Sequence, residues 1–185
     1  MLYFIIGIII IFILICVYLL VTYNSLVARR NMVENQKSQI DVELQRRFDL
    51  IPNLVEVVKG YANYEKTTLE DIIKARNTYI TTGSNTAQAL QADDALTGAL
   101  SRLFALAEGY PELKANANFL SLQSELANTE KKIAFSRQFY NDSVYKLNNV
   151  IDMFPSNIVA SIFNFSKGTF FETTDTERSN IEVKL

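Results

Sequence analysis

Hydrophobic and polar positions divide this chain into one wholly apolar stretch and a series of amphipathic ones. From Leu2 to Val21, twenty residues carry no charge and are nearly all Ile, Leu, Val, Phe and Tyr. As a helix rising about 1.5 Å per residue, that stretch covers about 30 Å, the thickness of a bilayer's hydrocarbon core. It predicts a transmembrane anchor over residues 1–23. A cleaved signal sequence would show a positive n-region, a shorter apolar run and a small-residue cleavage site, and the stretch has none of these. Cys16 follows Ile15 deep within the run, which does not fit a lipoprotein signal.

Past Val21 the pattern turns polar at Thr22-Tyr23-Asn24, with Tyr18 and Tyr23 placed as an interfacial aromatic belt. From Ile40 the apolar residues fall at Ile40, Leu44, Phe48, Ile51, Val55 and Val58, intervals of three and four that mark one helical stripe. Pro52 cannot donate to the Phe48 carbonyl. Because the stripe keeps phase across Pro52 and no turn residues flank it, the pattern predicts a helix kinked there and running on to about Tyr79. The alternative is a hairpin in which Asp49 caps a fresh helix with Pro52 in its first turn. Thr81-Thr82-Gly83-Ser84-Asn85 reads as a loop. A second helix is expected from about Thr86, carrying Leu90, Leu96, Leu100, Leu103 and Leu106 to Gly109. With Pro111 two residues on, a third and longest helix is expected from there. Its stripe is Phe119, Leu122, Leu126, Ile133, Tyr140, Val144, Leu147, Ile151 and Phe154, broken by Thr129 and Ser136 into a heptad-like, coiled-coil seam that ends at Pro155. Residues 157–165 form a short apolar segment. The remainder is rich in Thr, Glu, Asp, Ser and Asn and reads as a mobile tail over 166–185. No internal repeat or strand alternation is visible. The chain therefore reads as all-α: an N-terminal transmembrane helix followed by an antiparallel up-and-down helical bundle over residues 24–165.

Composition narrows the chemistry. About 160 residues beyond the span suffice for one domain with a real core. With 18 Lys and Arg against 20 Asp and Glu, net charge −2 and pI near 5.3, the chain lacks the basic surface of a general nucleic-acid binder. It has no His and no Trp, and its single Cys lies inside the apolar run. That removes the usual general base and the Ser-His and Cys-His nucleophile pairs, and no cofactor is expected. Arg29, Arg30 and Lys37 follow the span and no Lys or Arg precedes it, so the positive-inside rule places the bundle in the cytoplasm with the N-terminus out.

Among polar residues, Arg46, Arg47 and Asp49 cluster beside Pro52, with Glu43 four residues before Arg47. They read either as an ion-pair cluster or as a solvated face. Arg76, Glu130, Arg137 and Asn141 lie close to the apolar stripes, where a charge needs a partner. They are candidates for an interhelical polar network, and no catalytic or metal-binding set stands out. Phe154, Phe163, Phe165, Phe170 and Phe171 either cap the open end of the bundle or touch the bilayer or a membrane partner.

These segments resemble the LemA family of single-span bacterial membrane proteins. The resemblance is carried by Tyr23-Asn24-Ser25-Leu26-Val27, Arg30-Asn31, Ile40-Asp41-Val42 and Arg46-Arg47-Phe48-Asp49-Leu50-Ile51-Pro52-Asn53-Leu54-Val55. It continues in Lys59-Gly60-Tyr61, Ala75-Arg76, Tyr110-Pro111-Glu112-Leu113-Lys114-Ala115, Leu122-Gln123, Thr129-Glu130, Arg137, Tyr140-Asn141 and Phe154-Pro155. Lys37 stands where the family often has an aromatic residue. The resemblance implies a helical bundle on a membrane anchor with no established enzymatic activity. The function expected is a scaffold or adaptor of the bacterial inner membrane, whose partners are the lipid bilayer and membrane or cytoplasmic proteins. A carboxylate-lined ligand or metal site inside the bundle, or a homo-oligomer that builds a structure in the membrane, are the alternatives.

Overall fold

A computed structural model describes residues 1–61, 66–82 and 87–171. They form six helices: α1 (Leu2–Lys59), α2 (Lys66–Thr82), α3 (Ala87–Ala107), α4 (Pro111–Lys114), α5 (Ala117–Asp152) and α6 (Ser156–Ile162). Among the described residues there is no strand, and the protein is all-α with one long apolar N-terminal helix.

The apolar first third of α1 buries nothing: none of residues 2–21 is shielded from solvent as a core residue would be. An all-round apolar helix with no protein over it has the length and composition of a membrane span. Ile10→Arg should accordingly weaken membrane insertion by about 2.5–3.5 kcal/mol. Glycosylation mapping of the inserted fraction reads this out, and unchanged insertion would contradict the assignment.

Chain contacts divide the molecule into two compact units. One comprises Met1–Gln39 and the described residues from Phe135 onward; the other is built from Ile40–Ala134. Helices α1 and α5 each contribute to both.

In the second unit four helical segments run alternately up and down. The stripe Ile40, Leu44, Phe48, Ile51, Val55 and Val58 of α1 is buried, in the phase read from the sequence. Helix α2 lies antiparallel to it, since Tyr79, near the end of α2, packs its ring on Phe48 with centroids 4.9 Å apart. Helix α3 then returns along α2, where Asp71 faces Arg102 at 3.7 Å. The first half of α5 descends again, with Phe119 at its start against Phe104 near the end of α3. Asn116, just before α5, reaches Tyr61, just after α1, so both ends lie at the same pole of the unit.

Three boundaries differ from the sequence expectation. Helix α1 passes through Pro52 without reversing, but it ends at Lys59 and does not run on to Tyr79. The stop was present in the sequence: Lys59 is a cation in the last turn and Gly60 follows it, with the Tyr61 N–H closing a turn onto the Val58 carbonyl at 3.0 Å. The expected third helix begins at Pro111 but breaks after one turn. Asn116 restarts it as an N-cap, its Oδ1 accepting from the Phe119 N–H at 3.1 Å. Phe154, placed on the buried stripe of that helix by its spacing, lies beyond the end of α5 and is 80 % exposed.

Candidate functional site

The innermost polar group of the second unit is Arg47. It falls three residues after Leu44 on the buried face of α1, and its side chain is only 2 % exposed. A guanidinium this far from water requires partners in its own plane. Nη1 donates to Asp93 Oδ1 at 2.9 Å and lies 3.1 Å from Glu130 Oε2, while Nη2 donates to Thr97 Oγ1 at 2.8 Å. Asp93 and Thr97 are one turn apart on α3, and Glu130 is on α5, so one side chain ties three helices in register. The two carboxylates are directed at a cation already in place. Among the described residues, no group of three or more His, Cys, Asp or Glu side chains converges as a metal site would require.

The other residues of the expected network separate. Arg46 and Asp49 are exposed; Asp49 accepts a local bond from Gln45 Nε2 at 2.8 Å. Glu43 does not pair with Arg47 and instead faces Lys132 of α5 at 3.9 Å. Arg76 has a different task. Its Nε donates to the Phe48 carbonyl at 3.0 Å, the acceptor that Pro52, four residues on, cannot reach with a hydrogen bond. Helix α2 therefore satisfies the backbone gap that proline opens in α1, and Pro52 is tolerated inside a long helix.

Arg137 and Asn141 belong to the first unit, where they hold the start of the C-terminal tail. The Asn148 side chain exchanges two hydrogen bonds with the backbone of Gly168, at 3.0 and 2.9 Å. Asn141 does the same with Phe171, at 3.2 and 2.8 Å. Seven residues apart, the two amides share a face of α5 and grip a segment that descends three residues between them. Gly168 passes so close that a Cβ there would stand 3.3 Å from both methyl groups of Val144. Phe171 is held between the Tyr140 ring, centroids 5.1 Å apart, and the Arg137 guanidinium at 5.7 Å. Residues 168–171 are thus bound, where composition alone read a mobile tail; the tail from 172 on lies outside the described residues. Replacing Asn148 with Ala removes two bonds of about 0.5–1.5 kcal/mol each, so chymotryptic cleavage beside Phe170 and Phe171 should accelerate roughly five-fold or more. Cleavage at the parental rate would show that the clamp does not hold the segment.

Tyr140 adds a pH-dependent contact, its hydroxyl donating to the Thr169 carbonyl at 2.9 Å. Burial, and then the Glu34 carboxylate, raise its pKa above the ordinary 10.0 of a phenol. Because the folded value is the higher one, this contribution is whole below pH about 10 and is lost as pH rises through the raised value. Tyr140→Phe should remove that alkaline step in tail release.

Two further residues complete these contacts, and only one of them is marked in the sequence. Asp93 sits three residues before Leu96 on the apolar stripe of α3, and a carboxylate in that phase marks a buried charge. Asn148 carried no such mark, since its partner is a backbone twenty residues away.

Taken together, these features define an all-helical protein with a candidate N-terminal membrane helix and a charge-locked antiparallel helical unit. The chain belongs to the LemA family, whose sequence pattern matches residues 36–185. It is similar to Protein LemA of Metamycoplasma hominis, 27 % identical over 163 residues that cover 86 % of this chain and 73 % of that protein. It is also similar to Magnetosome protein MamQ 2 of Paramagnetospirillum magneticum, 25 % identical over 179 residues, and to Magnetosome protein MamQ of Magnetospirillum gryphiswaldense, 25 % identical over 178. This chain spans 66 % and 65 % of the length of those two proteins. None of these names designates an enzyme.

Proposed function

We propose that this protein is a membrane-anchored scaffold or adaptor of the bacterial inner membrane, with Leu2–Val21 spanning the bilayer and the helical units presenting their outer faces to protein partners in the cytoplasm. One observation carries the reading: a single helix, α1, has an apolar first third, residues 2–21, with no protein over it and a last third whose stripe builds a core. The first third has the chemistry of a solvent-facing element only if its solvent is lipid. In the last third, the most deeply buried ionisable group spends its hydrogen bonds on joining helices. That supports a rigid presenting surface over a reactive centre.

The test uses the full chain in its membrane. The protein should stay in the pellet after a carbonate wash, and a reporter active only outside the cytoplasm, fused after Leu185, should be silent. Cross-linking in intact membranes followed by purification under denaturing conditions should return discrete heterologous partners. Products that are multiples of the chain alone would replace the adaptor with a self-assembling structural protein. Stoichiometric metal in the purified protein would replace it with a ligand-binding function.

A further inference from the structure

We propose that α6 and its flanking turns form a foot that lies in the membrane interface beside the span, so that the first unit is held to the bilayer at two places. The proposal rests on the anchoring of Leu2–Val21 and adds a second contact to it. Met153, Phe154, Ile158, Ile162 and Phe163 are each at least half exposed and follow one another in the first unit. Single exposed apolar residues are ordinary on any protein, but five large ones on one short segment are not.

The position of the segment names its partner. The Phe163 ring packs on Tyr23, centroids 4.7 Å apart, and Phe165 meets the same ring at 5.9 Å. Tyr23 lies two residues past Val21, only about 3 Å along the helix axis. Thr22 is buried, so protein packs against α1 down to the first residue after the span. The headgroup layer on each side of the hydrocarbon is about 5–8 Å thick, which places Phe163 within it.

Helix α6 has the pattern such a location requires. Val159 and Ala160 are buried against the unit. Of the exposed positions, Ile158 and Ile162 lie one turn apart on one side, and Asn157 and Ser161 lie one turn apart on the other. The segment is also held in a set orientation. Ser156 Oγ hydrogen-bonds the Val150 and Met153 carbonyls at 2.7 and 2.9 Å. At the other end, Asn164 takes a left-handed φ of 55°, the Phe165 N–H bonds the Ala160 carbonyl at 2.9 Å, and the Asn164 N–H bonds Ser161 at 3.3 Å. This is a Schellman cap. Arg30 stacks over Phe165 at 5.6 Å and fixes the exit. An amphipathic segment tied at both ends, level with the headgroups, buries its apolar side by entering the acyl boundary.

The test places an environment-sensitive fluorophore on single cysteines in the full chain, purified and reconstituted into phosphatidylcholine vesicles with nitroxide lipids as quenchers. The native Cys16 reports the span. In a Cys16→Ala background, Ile158→Cys and Ile162→Cys report the apolar side of α6, and Asn157→Cys and Ser161→Cys its polar side. The expected result is blue-shifted emission at 158 and 162, quenched by nitroxides near the headgroup, with water-like emission at 157 and 161. Deep quenching at position 16 with water-like emission at 158 and 162 would overturn the foot and leave the anchor standing. Emission at 158 that shifts only as protein density rises, without quenching by lipid, would overturn it in favour of a contact between copies. A water-like label at position 16 would remove anchor and foot together.

Discussion

Asp93→Ala should destabilise the folded protein by about 3–5 kcal/mol, the loss expected when one partner of a buried ion pair is removed and its counter-charge stays behind. Both side chains are nearly sealed from water, at 2 % and 7 % exposure, so the stranded Arg47 guanidinium has little solvent to turn to. Glu130 cannot compensate fully, because its side chain is 47 % exposed and its attraction is screened. Glu130→Ala should therefore cost clearly less than Asp93→Ala. Replacing Arg47 and Asp93 together with apolar residues of similar volume should recover most of the loss, since no buried charge then remains unpaired. Denaturant unfolding of the full chain in micelles, followed by circular dichroism, measures all three. An Asp93→Ala variant within about 1 kcal/mol of the parent would show that the register of α1, α3 and α5 does not depend on this pair.

Leu126→Ala and Leu147→Ala should each cost about 2–5 kcal/mol through lost burial and the cavity left behind. Both are only 4 % exposed, on the stripe of α5 that also buries Ile133, Tyr140 and Val144. They fall in different compact units, Leu126 in the one built from Ile40–Ala134 and Leu147 in the one that includes Met1–Gln39. Loss of stability in both variants is the expected outcome. A parent-like melt in either would place that stretch of α5 out of phase with its core.

The apolar length of Leu2–Val21, the phase of the α1 and α5 stripes and the all-helical class were legible in the sequence, because each depends on residues a few positions apart. A run of twenty uncharged apolar residues, or burial at intervals of three and four, follows from helix geometry without knowing what the helix meets. Even the stop of α1 is legible, in Lys59-Gly60, although apolar spacing resumes at Leu69.

The network could not be read in the same way. Arg76, Glu130, Arg137 and Asn141 stand out by their phase and Arg46, Arg47 and Asp49 by their place beside Pro52, and neither signal tells which neighbour a side chain meets. Arg47 and Glu130 do meet, but only the packing of α3 brings Asp93 and Thr97 to the same guanidinium, 46 and 50 residues along the chain. The packing of α2 on α1 sends Arg76 to the Phe48 carbonyl, and in the first unit Arg137 and Asn141 go to the start of the tail. Local spacing decides which residues leave water. Which of them pair is a property of separate helices brought together, and tertiary structure alone decides it.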